Sequence, residues 1–152
     1  MIVRKAQKNI NDCKIVFNLS NDPIVRMESF NSNQITYENH QKWYYDAVSS
    51  KEIIFLLAFE NDSFIGQIRF KKDNENTNKA IISISIVSEF RGKHKGSEMI
   101  KLAVDELKRE WTTCNEVIAE VKFDNVASNI LFERNNFRLS SEQKCNVWIR
   151  KI

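Results

Sequence analysis

The stretch AIISISIVSEFRGKHKGSEMIKLAVDELKREW, Ala80 to Trp111, constrains the fold more than any other. Isoleucine alternates with serine up to Val87, the two-residue period of a strand with unlike faces. From Gly96 onward, Met99, Ile100, Ala103, Val104 and Leu107 recur at helical spacing. Between strand and helix lie two of the chain's three glycines, Gly92 and Gly96, and three cations, Arg91, Lys93 and Lys95. A helix start exposes backbone N–H groups without internal partners and carries the positive end of the dipole. Glycine lets the turn bend sharply and a ligand approach the backbone. The turn therefore predicts an anion site suited to phosphate. The same residues also describe a plain strand–helix turn with solvated lysines.

Length and composition bound the rest. A chain of 152 residues suits one domain, 1–152, with a closed core. Apolar residues at 42% and charged residues at 28% describe a soluble globular protein. The net charge of +3 fits an anionic ligand but not the continuous basic face of a nucleic-acid binder. The longest apolar run, Ile53 to Phe59, is too short to span a bilayer, and the first residues lack a signal peptide's apolar core. Cys13, Cys114 and Cys145 are odd in number and scattered. They argue against a disulfide framework and a zinc site, and for a reducing cytoplasm.

Other elements follow from pattern. Ile2–Ala6 reads as a first strand. Asn11 or Asp12 is expected to cap a helix carrying Ile15, Val16 and Leu19. Pro23 opens a short helical segment, and Thr36 caps another that carries Trp43 and Tyr44. Ile53–Glu60 and Phe64–Lys71 flank a tight Asn61-Asp62 hairpin. Asp73–Asn78 reads as a hairpin loop. Val117–Phe123 is a strand and Asn125–Asn135 a helix with Ile130 and Leu131 inward. Asn136 follows in a left-handed closing position. Val147–Ile149 is a last strand. The order predicts an α/β or α+β domain whose sheet is mainly antiparallel at its front.

Ala119 to Phe137, AEVKFDNVASNILFERNNF, repeats the order strand, loop, helix. Together with the first turn it resembles the GNAT superfamily of acetyl-CoA-dependent N-acetyltransferases. In that family a turn of the type arginine or glutamine, two residues, glycine, one residue, glycine holds the coenzyme A pyrophosphate. Arg91, His94 and Gly96 fall on its first, fourth and sixth positions. The later family pattern of asparagine, small residue, aromatic and glycine-phenylalanine is met by Asn125, Ser128, Phe132 and Asn136-Phe137. The resemblance implies a mixed, mainly antiparallel sheet of about seven strands with about four helices. It implies acetyl-CoA as cofactor, held by Arg91, Gly92, Lys93, His94, Lys95, Gly96 and Ser97, by Asn125, Ser128 and Phe132, and by the backbone at Ile86 and Val87. It leaves room for a homodimer. Three positions depart from the family. His94 and Asn136 replace glycines, and Phe132 stands where many relatives carry a tyrosine that protonates the leaving thiolate, so the general acid is unassigned.

Acetyl transfer needs a neutral amine, and an ordinary amine is largely protonated near neutral pH. A base must draw off the proton. Glu120 matches the strand position where some relatives place a glutamate base. It reads equally as a solvated glutamate or a partner of Lys122. His40 reads as a substrate-side base or as a helix-surface residue, with the surface favoured. Asn125 is also a helix cap in its own right. No cysteine lies in either motif, which points to direct transfer without an acetyl-enzyme.

The segment Phe17 to Tyr45 carries Asn21-Asp22-Pro23, Arg26, Ser29 to Ser32, His40 and Trp43 in an order similar to the GNAT branch that acetylates nucleotide-linked amino sugars, the pseudaminic acid pathway type. That likeness implies a substrate site at Arg26, Phe30, Asn31, His40 and Trp43. Arg26 would pair with a diphosphate, and Phe30 or Trp43 would stack on a base or sugar. Packing roles for the aromatics and a surface role for Arg26 serve as well. Two other functions fit the same motifs, acetylation of a protein N-terminus of the ribosomal-protein type and non-catalytic sensing of acyl-CoA.

Overall fold

Asn61 and Asp62 both take positive φ, 48° and 64°, the signature of a two-residue hairpin whose twist matches its strands. They join β2 (Ile53–Glu60) to β3 (Ser63–Lys72), and β4 (Lys79–Ile86) continues the antiparallel meander. The computed structural model describes all residues, Met1–Ile152. β1 (Ile2–Lys5) pairs with β2 on the outer side. β5 (Glu116–Val121), β6 (Arg138–Ser141) and β7 (Asn146–Lys151) complete one seven-stranded sheet in the order β1-β2-β3-β4-β5-β7-β6. Only the β4–β5 pair is parallel. β6, a short edge strand with no alternating apolar pattern, was not expected from the sequence.

Five helices cover the two faces. α1 (Ile10–Ser20), α2 (Pro23–Glu28) and α3 (Tyr37–Ser49) lie in sequence between β1 and β2, α4 (Lys95–Glu110) between β4 and β5, and α5 (Val126–Arg134) between β5 and β6. α4 buries Gly96, Met99, Ile100, Ala103, Val104 and Leu107, the stripe read from the sequence. With α5 it covers Ile54, Leu56, Ile68, Phe70, Ile82, Val117 and Trp148 in the larger core. On the opposite face α1 and α3 enclose a smaller core of Cys13, Val16, Tyr44, Ala47, Phe55 and Leu57. Asp22 and Thr36 cap α2 and α3, and Asn136 takes the left-handed conformation (φ 65°) as expected.

Two sequence expectations are corrected here. Neither Asn11 nor Asp12 caps α1; Asn9 does, accepting from the Asp12 N–H. The Asp12 carboxylate is buried instead, held by both Arg4 Nη atoms at 2.7 and 2.8 Å and by the Gln7 N–H. In α5, Ile130 faces solvent and Leu131 is half-buried, while Phe132 turns fully into the core edge-on to Phe137, 5.0 Å between ring centres. The strand before the glycine turn does not run straight into it, since a 3-10 turn, Ser88–Phe90, intervenes and the helix starts at Lys95.

Candidate active site

β4 and β5 pair only at Lys79–Ile81 with Glu116–Ile118. Beyond that point β4 stays on β3 up to Ile86 and β5 stays on β7 up to Val121. The sheet therefore splits open toward the strand ends. The Val87 N–H donates to Ile65 O. Because strand backbone groups alternate in direction, Ser85 points to β3 while Ile84 and Ile86 point their amides into the opening. This corrects the expectation for Val87, whose N–H is already used. The Ile86 carbonyl accepts from Arg91 Nε at 2.9 Å, while its N–H faces the gap by the same alternation.

The glycine turn sits at the mouth of this opening. Gly92 (φ 71°) and His94 (φ 59°) are both left-handed, and His94 is the residue preceding α4. The histidine thus keeps the backbone path a glycine would take, at a cost of about 1–2 kcal/mol for a residue with a β-carbon. Gly96 is needed for packing. A β-carbon there would lie 2.9 Å from Leu131 Cδ1 and 3.2 Å from Ile86 Cδ1. The close approach it permits is between α4, α5 and the end of β4, a packing reason for glycine beside the expected phosphate path.

The three cations of the turn are not equivalent. Arg91 is bound to Ile86 O and lies 2.9 Å from Asp22. Lys95 is locked on Glu60 at 2.6 and 2.8 Å. Lys93 is exposed, over the Phe90 ring at 5.8 Å. What remains for an anion is the row of N–H groups opening α4 and a polar cleft beside it. That cleft, about 450 Å³, is lined by Ser97, Glu98, Lys101, Arg134, Asn135, Asn136 and Arg150. Lys101, Arg134 and Arg150 take part in none of the chain's ion pairs. These residues fit a diphosphate and a further phosphate. Another cleft, about 290 Å³, lies by Lys5, Val48 and Trp111 at the far end of α4.

The second motif packs against the first. Asn125 caps α5, accepting from the Ser128 N–H, and Asn135 Nδ2 donates to Ser97 Oγ at 2.9 Å. Asn129, not singled out from sequence, ties the region together. Its Nδ2 donates to the Lys122 and Asn125 carbonyls, and its Oδ1 accepts from Asn146 Nδ2 and Trp148 Nε1. An asparagine inside a helix is an unfavoured choice, and that was the available signal. Phe132 is fully buried, so its ring serves the core.

The sequence model of the Acetyltransferase (GNAT) family matches residues 19–137. The chain belongs to this family. It is an acetyl-CoA-dependent N-acetyltransferase with the GNAT fold, a seven-stranded mixed sheet and five helices. Solved structures agree on the fold. The acetyltransferase resembles a GNAT-family acetyltransferase from Streptococcus pneumoniae (TM-score 0.77, 18% identity, 99% of this chain and 98% of that chain). It also resembles spermidine N-acetyltransferase from Vibrio cholerae in complex with CoA and spermine (TM-score 0.81, 16% identity, 99% and 94%). A third is ribosomal-protein-alanine N-acetyltransferase from Brucella melitensis (TM-score 0.79, 15% identity, 100% and 99%). By sequence, the acetyltransferase has no significant match among curated proteins.

On the face of the sheet opposite α4 and α5, the acetyltransferase carries a polar floor. Gln67, Arg69, Ser83, Ser85 and Glu120 share this face by strand alternation and register. Glu120 is exposed and in no ion pair; the Lys122 ammonium donates to Met27 O instead, so the salt-bridge alternative fails. Arg26 is consumed locally. Its Nε donates to Ser20 O, Nη1 to Asn31 O and Asn33 O, and Nη2 to Ser29 Oγ. It braces the loop after α2, which argues against both the diphosphate contact expected of it and its reading as a surface cation. Phe30 and Asn31 are exposed on that loop and Trp43 is partly exposed on α3. His40 is no surface residue. Its ring is 1% exposed, packed among Phe17, Trp43 and Tyr44, with Nε2 3.0 Å from the Cys13 carbonyl. Burial pushes its pKa down, so it stays neutral and Nε2 donates. No group of three or more His, Cys, Asp or Glu side chains is arranged to hold a metal, and no helix is long and apolar enough to cross a membrane.

Proposed function

We propose that the chain transfers acetyl from acetyl-CoA directly to the amine of a nucleotide-linked amino sugar. When bound, acetyl-CoA supplies the activated acetyl group as a thioester. The residues of this chain do the rest. The N–H groups from Gly92 to Ser97 receive the pyrophosphate, with the Arg91 N–H spent on Ser88 O and with Asn125 and Ser128 on the adjoining helix start. The Ile84 and Ile86 amides line the opening and present a donor to the thioester oxygen. Glu120, across the opening on β5, takes the amine proton directly or through water.

The observation that carries the substrate class is the charge of the acceptor face. Arg69 shares its floor with Glu120 and has no acidic partner, and Arg26 lies near enough to act on its charge. A cationic groove suits a phosphate-bearing acceptor better than a polyamine or a basic protein N-terminus. The similar structures are named for unlike amines, spermidine and a ribosomal-protein alanine, so the fold alone does not choose the acceptor. The test is thiol release from acetyl-CoA with a UDP-linked 4-amino-4,6-dideoxy sugar, spermidine and an alanine-starting peptide in parallel. Turnover of the sugar above the other two is expected. Preference for the peptide or spermidine would reject the sugar and leave the acetyltransferase intact.

A further inference from the structure

The face that receives the acceptor holds an arginine with no acidic partner. Arg69 lies on β3 between Phe55 on β2 and Ser83 on β4. Its guanidinium carbon is 4.8 Å from the centre of the Trp43 ring and 5.6 Å from that of Phe55. None of the chain's nine ion pairs includes it. Its Nε is sealed from solvent with no hydrogen-bond partner, while its Nη atoms are not sealed. The neighbouring Gln67 is buried, and its Oε1 also lacks a partner.

An arginine half-enclosed by aromatic rings and left without an acceptor is costly to keep. A sealed, unpaired polar group costs about 1–3 kcal/mol, more when charged. Aromatic faces recover part of this and, above all, fix the plane of the fork. The charged groups around it do not help. Burial and then the nearby charge of Arg26 pull its guanidinium down to about 10, still fully protonated at neutral pH. The neighbouring His40 is neutral. A pre-oriented fork with no partner is built to receive two oxygens from outside.

We propose that Arg69 is the anchor for an oxyanion, phosphate or carboxylate, on the molecule that carries the reacting amine. The anion docks beside Trp43 on the face opposite α4 and α5, and the amine then reaches across Ser83 and Ser85 toward Glu120. This role falls to Arg69 because Arg26 spends its donors on its own loop. The inference rests on the acetyl-transfer reading, and it names a binding residue that neither motif contains.

Calorimetry in the presence of CoA tests it with two matched pairs, UDP against uridine and phenylalanine against phenylalaninamide, on wild type, Arg69→Gln and Arg69→Lys. In wild type at least one member that carries the extra oxyanion group binds about tenfold or more tightly than the counterpart that lacks it. A difference in the first pair identifies phosphate, in the second carboxylate. Arg69→Gln abolishes the preference while CoA affinity stays within about twofold, a split that mere loss of packing would not give. Should Arg69→Gln fail to fold, Arg69→Lys carries the test, with the preference reduced at least about threefold by loss of the fork. A preference that survives in the folded variants overturns the proposal, as does a wild type indifferent to both anions at millimolar concentration. Absence of CoA binding would instead strike the acetyl-transfer reading, and the anion pairs measured without CoA would still judge Arg69.

Discussion

The Arg91 guanidinium, 2.9 Å from the Asp22 carboxylate, joins the glycine turn before α4 to the N-cap of α2. Asp22 also caps α2 through the Ile24 and Val25 N–H groups. One carboxylate thus sets both the start of α2 and the direction of the turn that follows β4. Partial burial works to raise its pKa, but the Arg91 partner and the two N–H groups outweigh it, and the carboxyl sits below its usual range. Its contribution is therefore present above an unfolded pKa of about 3.9 and is lost as pH falls through the lower folded value. Asp22→Asn keeps a cap and removes the charge. A double-mutant cycle with Arg91→Gln is expected to give a coupling of about 0.5–1 kcal/mol that shrinks in high salt. Chemical denaturation measures it, and zero coupling would mean the pair is incidental.

Gly96 gives a sharper test of what the glycine turn is for. Gly96→Ala places a β-carbon against the end of the Leu131 side chain, which can shift, and a loss of stability below about 1 kcal/mol is expected. Gly96→Val cannot be absorbed so easily and costs about 1–3 kcal/mol, as overpacking does. Leu131→Ala should restore much of the Gly96→Val loss, because the contact is with that side chain. Thermal melts of the three variants decide. No rescue by Leu131→Ala would return Gly96 to a role toward the ligand.

His94 should be replaceable. At φ 59° it strains a backbone that glycine adopts freely. His94→Gly is expected to stabilise the folded protein by about 0.5–1 kcal/mol, the relief of strain less the added freedom of the unfolded chain. Coenzyme affinity should be kept or improved. A marked loss in calorimetry would show that the imidazole itself touches a phosphate.

The parts of the molecule legible in the sequence were those governed by local rules. The Asn61-Asp62 hairpin, the α4 stripe, the Thr36 cap and the left-handed Asn136 each follow from a few adjacent residues. What was not legible depends on partners far along the chain. His40 looks like a polar residue on a polar helix. Only the Cys13 carbonyl, twenty-seven residues earlier, makes it a buried one. Arg26 looks free until the loop carbonyls it holds are in place. Arg69 sits in a strand where every neighbour is apolar or polar by alternation, and its isolation appears only once the aromatic rings of α3 and β2 surround it. Gly96 shows the same limit, since its neighbour Leu131 comes from the next motif.

His40 also yields a pH prediction. Its folded pKa is lowered, so the stability tied to its neutral form is complete above the unfolded value of about 6.5 and is lost as pH falls toward the lower folded one. Denaturant midpoints should begin to fall as pH drops below about 6.5 in wild type, before the carboxylates titrate. In His40→Gln that part of the slope should vanish even though the protein is less stable throughout. An unchanged slope would assign the acid loss elsewhere.

Glu120, exposed on β5 and free of any ion pair, is the proton acceptor we propose. Glu120→Gln preserves shape and removes the base. Near neutral pH the acetylation rate should fall by roughly ten- to a thousandfold, at or just below the usual span for a general base. Raising the pH supplies more neutral amine from solution, so the gap between variant and wild type should narrow there. CoA affinity should not change, because Glu120 lies on the acceptor side. An undiminished rate at pH 7 would leave proton removal to solvent. A loss that stays constant with pH would show that Glu120 positions the acceptor instead of accepting its proton.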